Sequence, residues 1–180
     1  MATLKGFDTV MRNLNKEIIE IEGRTMKGLI KAQILIRRDM EHTAPLTPID
    51  TGNLRASWFV VTSMKNSEPT EAEAPNFKSE KKVKDKDGKM RLVHIDVSQL
   101  KIDYETAVNK AQGKISSIRF PVLIMGFGAN YAVFVHEMVD KSGVKINWSR
   151  PGSGPKFFES AINRNKDKVL QIIRDNAKIK

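Results

Sequence analysis

Apolar residues recur at helical spacing from Phe7 to Met40: Phe7, Met11, Leu14, Ile18 and Ile21, then Leu29, Ala32, Ile36 and Met40. Steps of three and four residues place them on one stripe of an α-helix, and Asp8, Glu17, Glu20, Arg37 and Arg38 fall mostly off it. The spacing predicts one amphipathic helix about 50 Å long. In a chain of 180 residues, enough for one domain with a real core and too few for two, such a rod sets the long dimension of the molecule. A stripe of this kind reads first as core, and the excess length leaves room for an intersubunit coiled seam. Gly23 and Gly28 lie inside the pattern and each costs about 1 kcal/mol relative to Ala, so a bend or break is expected near Gly23.

Pro45 and Pro48 stop this helix. Asp50-Thr51-Gly52-Asn53 then reads as a turn in which the Asp50 or Thr51 side chain caps a short helix, Leu54 to Ser57. Gly52 is expected in a conformation that a larger residue resists, with Leu54 and Trp58 buried against a sheet. Trp58 to Thr62 has the aromatic and β-branched content of a strand. From Met64 to Arg91 the apolar content collapses, and residues 64–91 read as a charged insertion, either an extended hairpin arm or disordered. Asp87-Gly88 is a tight-turn signal between Lys82-Val83-Lys84 and Met90-Arg91-Leu92-Val93.

Further on, Asp103 to Ala111 suggests a short helix, and Ser117 to Gly126 a buried strand with Pro121 as its irregularity. A turn at Gly126 to Asn130 follows, then Tyr131 to Glu137, which the pattern allows as strand or helix. A loop from Ser149 to Pro155 leads into a second amphipathic helix carrying Phe157, Phe158, Ala161, Ile162, Val169, Ile172 and Ile173, with a polar interruption at Asn163 to Lys168. Pro155 suits the entry to that helix, and Phe157-Phe158 would pin its start to the sheet. The expected fold is α+β: a long N-terminal and a C-terminal helix packed on a small antiparallel sheet, in a single domain spanning residues 1–180.

Several function classes fall away. With no cysteine, disulfides, thiolate nucleophiles and Cys-based zinc sites are excluded. No run reaches the roughly 20 apolar residues of a spanning helix, and Met1 to Asp8 lacks a secretory pattern, so no membrane partner is expected and the chain is expected in the cytoplasm where it is made. Only His136, beside Glu137, neighbours a carboxylate; a zinc protease helix needs a second His where Asp140 stands. Gly152 to Lys156 lacks phosphate-loop spacing, and Pro155 removes an amide donor. Asp39, Asp50 and Asp140 show no metal-site spacing. Neither catalysis nor a cofactor is expected. The net charge of +10 raises phosphate binding, but basic and acidic residues are interleaved, as in Lys81 to Lys89, and no base-reading motif accompanies them.

Pro48-Ile49-Asp50-Thr51-Gly52-Asn53-Leu54-Arg55-Ala56-Ser57, with Gly128-Ala129-Asn130-Tyr131-Ala132, Val135-His136-Glu137 and Phe157-Phe158 downstream, resembles the neck, or head-tail joining, proteins of tailed bacteriophages. The match runs from the first helix to the last apart from the insertion, which is longer than is usual in that family. The family's Gly-Thr after the glutamate is replaced here by Met138-Val139-Asp140. The resemblance implies a structural subunit of a homo-oligomeric ring, six-fold in symmetry, at the neck of the virion. Its neighbours would be a head-side connector or adaptor and a tail terminator or tail tube, with genome DNA passing through the lumen without sequence-specific binding. The candidate structural and interface residues are Pro48, Asp50, Thr51, Gly52, Leu54, Arg55, Trp58, Tyr131, Glu137, Pro155, Phe157 and Phe158. A basic DNA-binding or packaging-associated phage protein is the alternative.

Overall fold

A computed structural model describes residues 7–64, 75–84, 87–138 and 146–178. The fold is α+β. The elements in order are α1 (Phe7–His42), α2 (Asn53–Ala56), β1 (Trp58–Thr62), β2 (Glu80–Lys84), β3 (Met90–His94), α3 (Ser98–Ile115), β4 (Leu123–Phe127), α4 (Ala132–Glu137) and α5 (Phe157–Ala177).

α1 is one unbroken helix through Gly23 and Gly28. Gly28 earns its place by close approach to α5, since a Cβ there would stand 3.0 Å from Ile173 Cα. The stripe predicted as core divides in two: Ala32, Ile36 and Met40 are buried, joined by Met26 from outside the predicted set, whereas Met11, Leu14 and Ile18 are exposed. α5 is likewise continuous across Asn163 to Lys168. Asn165 is buried and its Nδ2 donates to the Ala161 carbonyl at 2.9 Å, so a residue that reads as a polar break is satisfied within the helix.

The small antiparallel sheet is the β1–β4 pair, and the insertion carries a second antiparallel pair of its own, β2 with β3. β1 and β4 register as Trp58↔Phe127, Phe59↔Gly126 and onward to Thr62↔Leu123. Alternation along β1 sends Phe59 and Val61 into the core toward α3, where the Phe59 and Tyr104 rings meet edge to face at 6.3 Å. The opposite face carries Trp58 toward α1 and α5, near Arg37 and Phe158. The small sheet is therefore a middle layer between α3 and the α1–α5 pair.

α3 is twice as long as the predicted Asp103 to Ala111 segment; Leu100, Tyr104, Val108, Ala111 and Ile115 form its buried stripe. Asp96 caps it by accepting from the Ser98 N–H at 2.9 Å. The strand expected from Ser117 to Gly126 begins only at Leu123 and runs through Phe127, into the predicted turn. Pro121 has no N–H for a ladder, Phe120 is 64% exposed, and the Ser63 hydroxyl bridges the gap, donating to the Phe120 carbonyl and accepting from the Val122 N–H, both at 2.9 Å. Tyr131 to Glu137 resolves as helix, with α4 starting at Ala132.

Within the insertion, the hairpin predicted around Gly88 is present, with Glu80↔His94 through Lys84↔Met90 in register and Gly88 at φ 82°. The described part of the insertion is not wholly peripheral, because Phe77 is buried beside Tyr104.

Candidate functional site

The turn after Pro48 is built around Gly52, whose φ of 90° lies in the left-handed region that glycine tolerates. Its carbonyl accepts from the Ala56 N–H at 3.0 Å and starts α2 one residue before Leu54. Gly52 is the N-cap and supplies no side chain; Thr51 Oγ1 accepts from the Asn53 N–H at 3.2 Å in its place. Asp50 does not cap. It reaches outward to Lys81 of the hairpin.

Asn53 does more than the sequence disclosed. It is 2% exposed, its Nδ2 donates to the Lys78 carbonyl at 3.1 Å, and its Oδ1 accepts from the Lys78 N–H at 2.8 Å. One side-chain amide thus satisfies a backbone donor and acceptor and fixes the segment leading to the hairpin. Leu54 is buried as expected, and Ser57, fully buried, donates to the Leu54 carbonyl at 2.8 Å while its own carbonyl accepts from the Gly128 N–H at 2.7 Å.

Arg55 points to a cluster whose members lie far apart in the chain. Glu41 receives Arg150 Nη1 on Oε2 at 3.1 Å, with Arg55 Nε 3.1 Å and Arg37 Nη1 3.6 Å from Oε1. Arg55 Nε approaches off the hydrogen-bond line and Arg37 Nη1 stands beyond hydrogen-bond distance, so charge rather than a formed bond holds Oε1. Arg150 Nη2 also donates to the Glu41 carbonyl at 2.7 Å. The Arg37 guanidinium lies over Trp58 at 5.3 Å and Phe127 at 5.8 Å. Burial pulls its pKa below the usual arginine value, with the Arg55 charge adding to the fall and Glu41 opposing it. Three arginines on one carboxylate leave the floor of a cleft of about 580 Å³ positively charged. Trp58 walls this cleft and is half-buried, less than expected, because it closes the layer between sheet and helices from the outer side.

Around the start of α5, Phe157 is completely buried. Phe127 meets Trp58 at 5.1 Å, Phe157 at 5.6 Å and Phe158 at 6.2 Å, all edge to face. Pro155 stands one residue outside the cap, Lys156, which takes φ 56°. The Lys156 N–H donates to the His136 carbonyl at 2.8 Å and its ammonium pairs with Glu137. These contacts tie α4 to α5. Hydrogen bonds from Lys156 first, then from His136, hold the Glu137 carboxyl below its usual range.

His136 Nδ1 stands 2.7 Å from Glu137 Oε1, and Nε2 accepts from the Glu159 N–H at 3.4 Å. With its ring also 5.1 Å from Phe157, His136 joins two helices and has both nitrogens engaged. Tyr131 lines a second cleft of about 490 Å³ with Pro48, Asp50 and Leu54. Burial and then the Asp50 charge push its phenol pKa up.

The structure groups the predicted residues into two neighbourhoods. Pro48, Asp50, Thr51, Gly52, Leu54 and Tyr131 surround the turn cleft. Trp58, Phe157, Phe158, Pro155 and Glu137 gather at the α5 entry, joined to the turn through Arg55 and Glu41. Sequence reasoning missed Arg37, Glu41, Arg150, Asn53 and Phe127. Phe127 alone had a local signal, as an aromatic in an apolar run. Asp39 is held by Arg164 and Asp50 by Lys81, while Asp140 lies outside the described residues. Among the described residues no group of three or more His, Asp or Glu side chains converges to hold a metal, and no helix is long and apolar enough to cross a membrane. No family model, curated protein or solved structure matches the chain.

Proposed function

We propose that this chain is a non-catalytic structural subunit of a phage neck ring, working through contact surfaces between the head connector and the tail. The observation that carries the reading is the apolar surface left outside a modest core: Val10, Leu14 and Ile19 on α1, Val133 and Phe134 on α4, and Phe120 before β4 are each more than half exposed. Apolar side chains gathered in this way mark surfaces awaiting a protein partner. Side chains rich in polar contacts, Glu41, Asn53, His136, Arg150 and Arg164 among them, are occupied in joining elements to one another. The resemblance through the Thr51-Gly52-Asn53-Leu54-Arg55 turn supports the same reading. Its six-fold ring, virion location and head-side and tail-side neighbours are part of the proposal.

The test is a phage-producing host in which the chain is removed or replaced. Normal heads and normal tails that fail to join would support the neck role. Joined particles with wild-type yield in the absence of the chain would sink it.

A second reading has one specific observation behind it. The β2–β3 hairpin is a two-stranded ribbon bearing Lys81, Lys82, Lys84 and Arg91, and a ribbon of that width enters a DNA major groove. Duplex binding by the purified chain that weakens steeply with salt, together with loss of packaged DNA while joining is unaffected, would favour a DNA-binding or packaging role.

A further inference from the structure

α5 packs antiparallel to α1 in a register that two contacts fix. Asp39 meets Arg164 at 2.6 Å, and Gly28 meets Ile173. On that register α5 ends at Ala177 level with about residue 25 of α1, and the N-terminal part of α1 runs on past it. Along this overhang Met11, Leu14 and Ile18 are 41%, 53% and 44% exposed, and Val10 and Ile19 are each 63% exposed. The alternating three- and four-residue steps from Met11 to Ile21 are those of a helix that packs along another protein surface.

The overhang is also where a strongly basic chain turns slightly acidic. Arg12, Lys16 and Arg24 are slightly outweighed by Asp8, Glu17, Glu20 and Glu22, while the whole chain carries +10. Two copies of this protein repel over most of their surface, and that repulsion is least here. At the other end of the helix pair, α4 is bound to the start of α5 and presents Val133 at 72% and Phe134 at 77% exposure. The 21 residues of α5 separate the two apolar surfaces by about 30 Å, so one copy cannot cover its own overhang with its own α4.

We propose that a second copy of this chain covers the overhang, its Val133 and Phe134 receiving Met11, Leu14 and Ile18 in a head-to-tail contact. Stripe-on-stripe pairing would leave the α4 pair uncovered. The exposed strip is about four turns of a helix some 10 Å wide, a few hundred Å² at most, below the roughly 800 Å² per partner of a stable interface. It therefore cannot hold an isolated pair tightly. Repetition on both sides of each copy, as a head-to-tail ring provides, makes up the shortfall. The inference deepens the ring-subunit reading and rests on it for closure of the contacts into a ring.

Sedimentation velocity of the full chain over a concentration series tests it, using Leu14→Asp to spoil the strip and Phe134→Asp to spoil its receiver. Both substitutions fall on exposed side chains, and circular dichroism checks that each variant is folded. The wild type is expected to associate, and each variant alone to remain monomeric over the same range. An equal mixture of the two variants, in which one intact strip meets one intact receiver and both outer ends are blocked, should show a weak dimer only at the top of the concentration range and nothing larger. A wild type that stays monomeric throughout, or a Phe134→Asp variant that assembles like the wild type, overturns the proposal. If the chain assembles head to tail but heads and tails join without it, the neck reading fails and the contact stands; if joining requires the chain but the wild type stays monomeric, the reverse holds.

Discussion

Glycines separate two physical effects that a sequence presents alike. A Cβ on Gly128 would stand 2.8 Å from Tyr104 Cα, a backbone atom that cannot step aside, so Gly128→Ala should destabilise by about 1–3 kcal/mol through overpacking. A Cβ on Gly23 would meet nothing within 4 Å, and Gly23→Ala inside a helix should stabilise by about 0.5–1 kcal/mol. Urea unfolding of both variants checks the opposite signs. Asn53→Ala removes both bonds to Lys78 and should cost about 1–3 kcal/mol by leaving backbone groups without partners. Limited proteolysis should show faster cleavage near residues 75–84 in that variant than in the wild type. The Gly52 turn and the buried Leu54 were legible because local chemistry demands them. The Arg37, Glu41, Arg55 and Arg150 cluster was not, since charges spread over more than a hundred positions carry no mark of which will meet.

Helix α3 shows why an element can be half-legible. Its buried stripe from Leu100 to Ile115 has regular helical steps, but lysines, glutamine and acids on the outer face dilute it, and the ends of the pattern fade into polar surroundings. The hairpin was legible from Asp87-Gly88, whose turn chemistry is local, and the charged insertion around it set it apart from the sheet; the bounds of β4 were not, because strand pairing is set by contacts remote in sequence. The α1–α5 clasp carries a pH dependence. Burial pushes the Asp39 carboxyl upward, but hydrogen bonds from Arg164, Asn165 and Thr43 outweigh it, and its folded pKa lies below the unfolded value. Its contribution is therefore fully present above the unfolded carboxylate range and is lost as pH falls through the lowered folded value. The urea midpoint of the wild type should drop in acid more steeply than that of Asp39→Asn, and equal acid slopes would show that this clasp does not contribute. Truncating Phe157, at the root of α5, should cost about 3–5 kcal/mol, measured by the same unfolding curves.

For the molecule as a whole, protection should be graded along α1. Amides from Met26 to Met40 lie under the α5 contact and the core and should exchange only through global unfolding, whereas those from Leu14 to Glu22 open locally in the free monomer. Hydrogen exchange read residue by residue checks this, and uniform protection along the helix would contradict it. The absence of a break at Gly23 gives α1 a mechanical character. Its outer arm reaches about 26 Å from Gly28 to Met11, while the inner part is clamped to α5 at Ile173 and again at Arg164. A push on the free end is therefore borne by the whole α1–α5 contact. Load applied at one edge of the subunit is shared between its two longest helices.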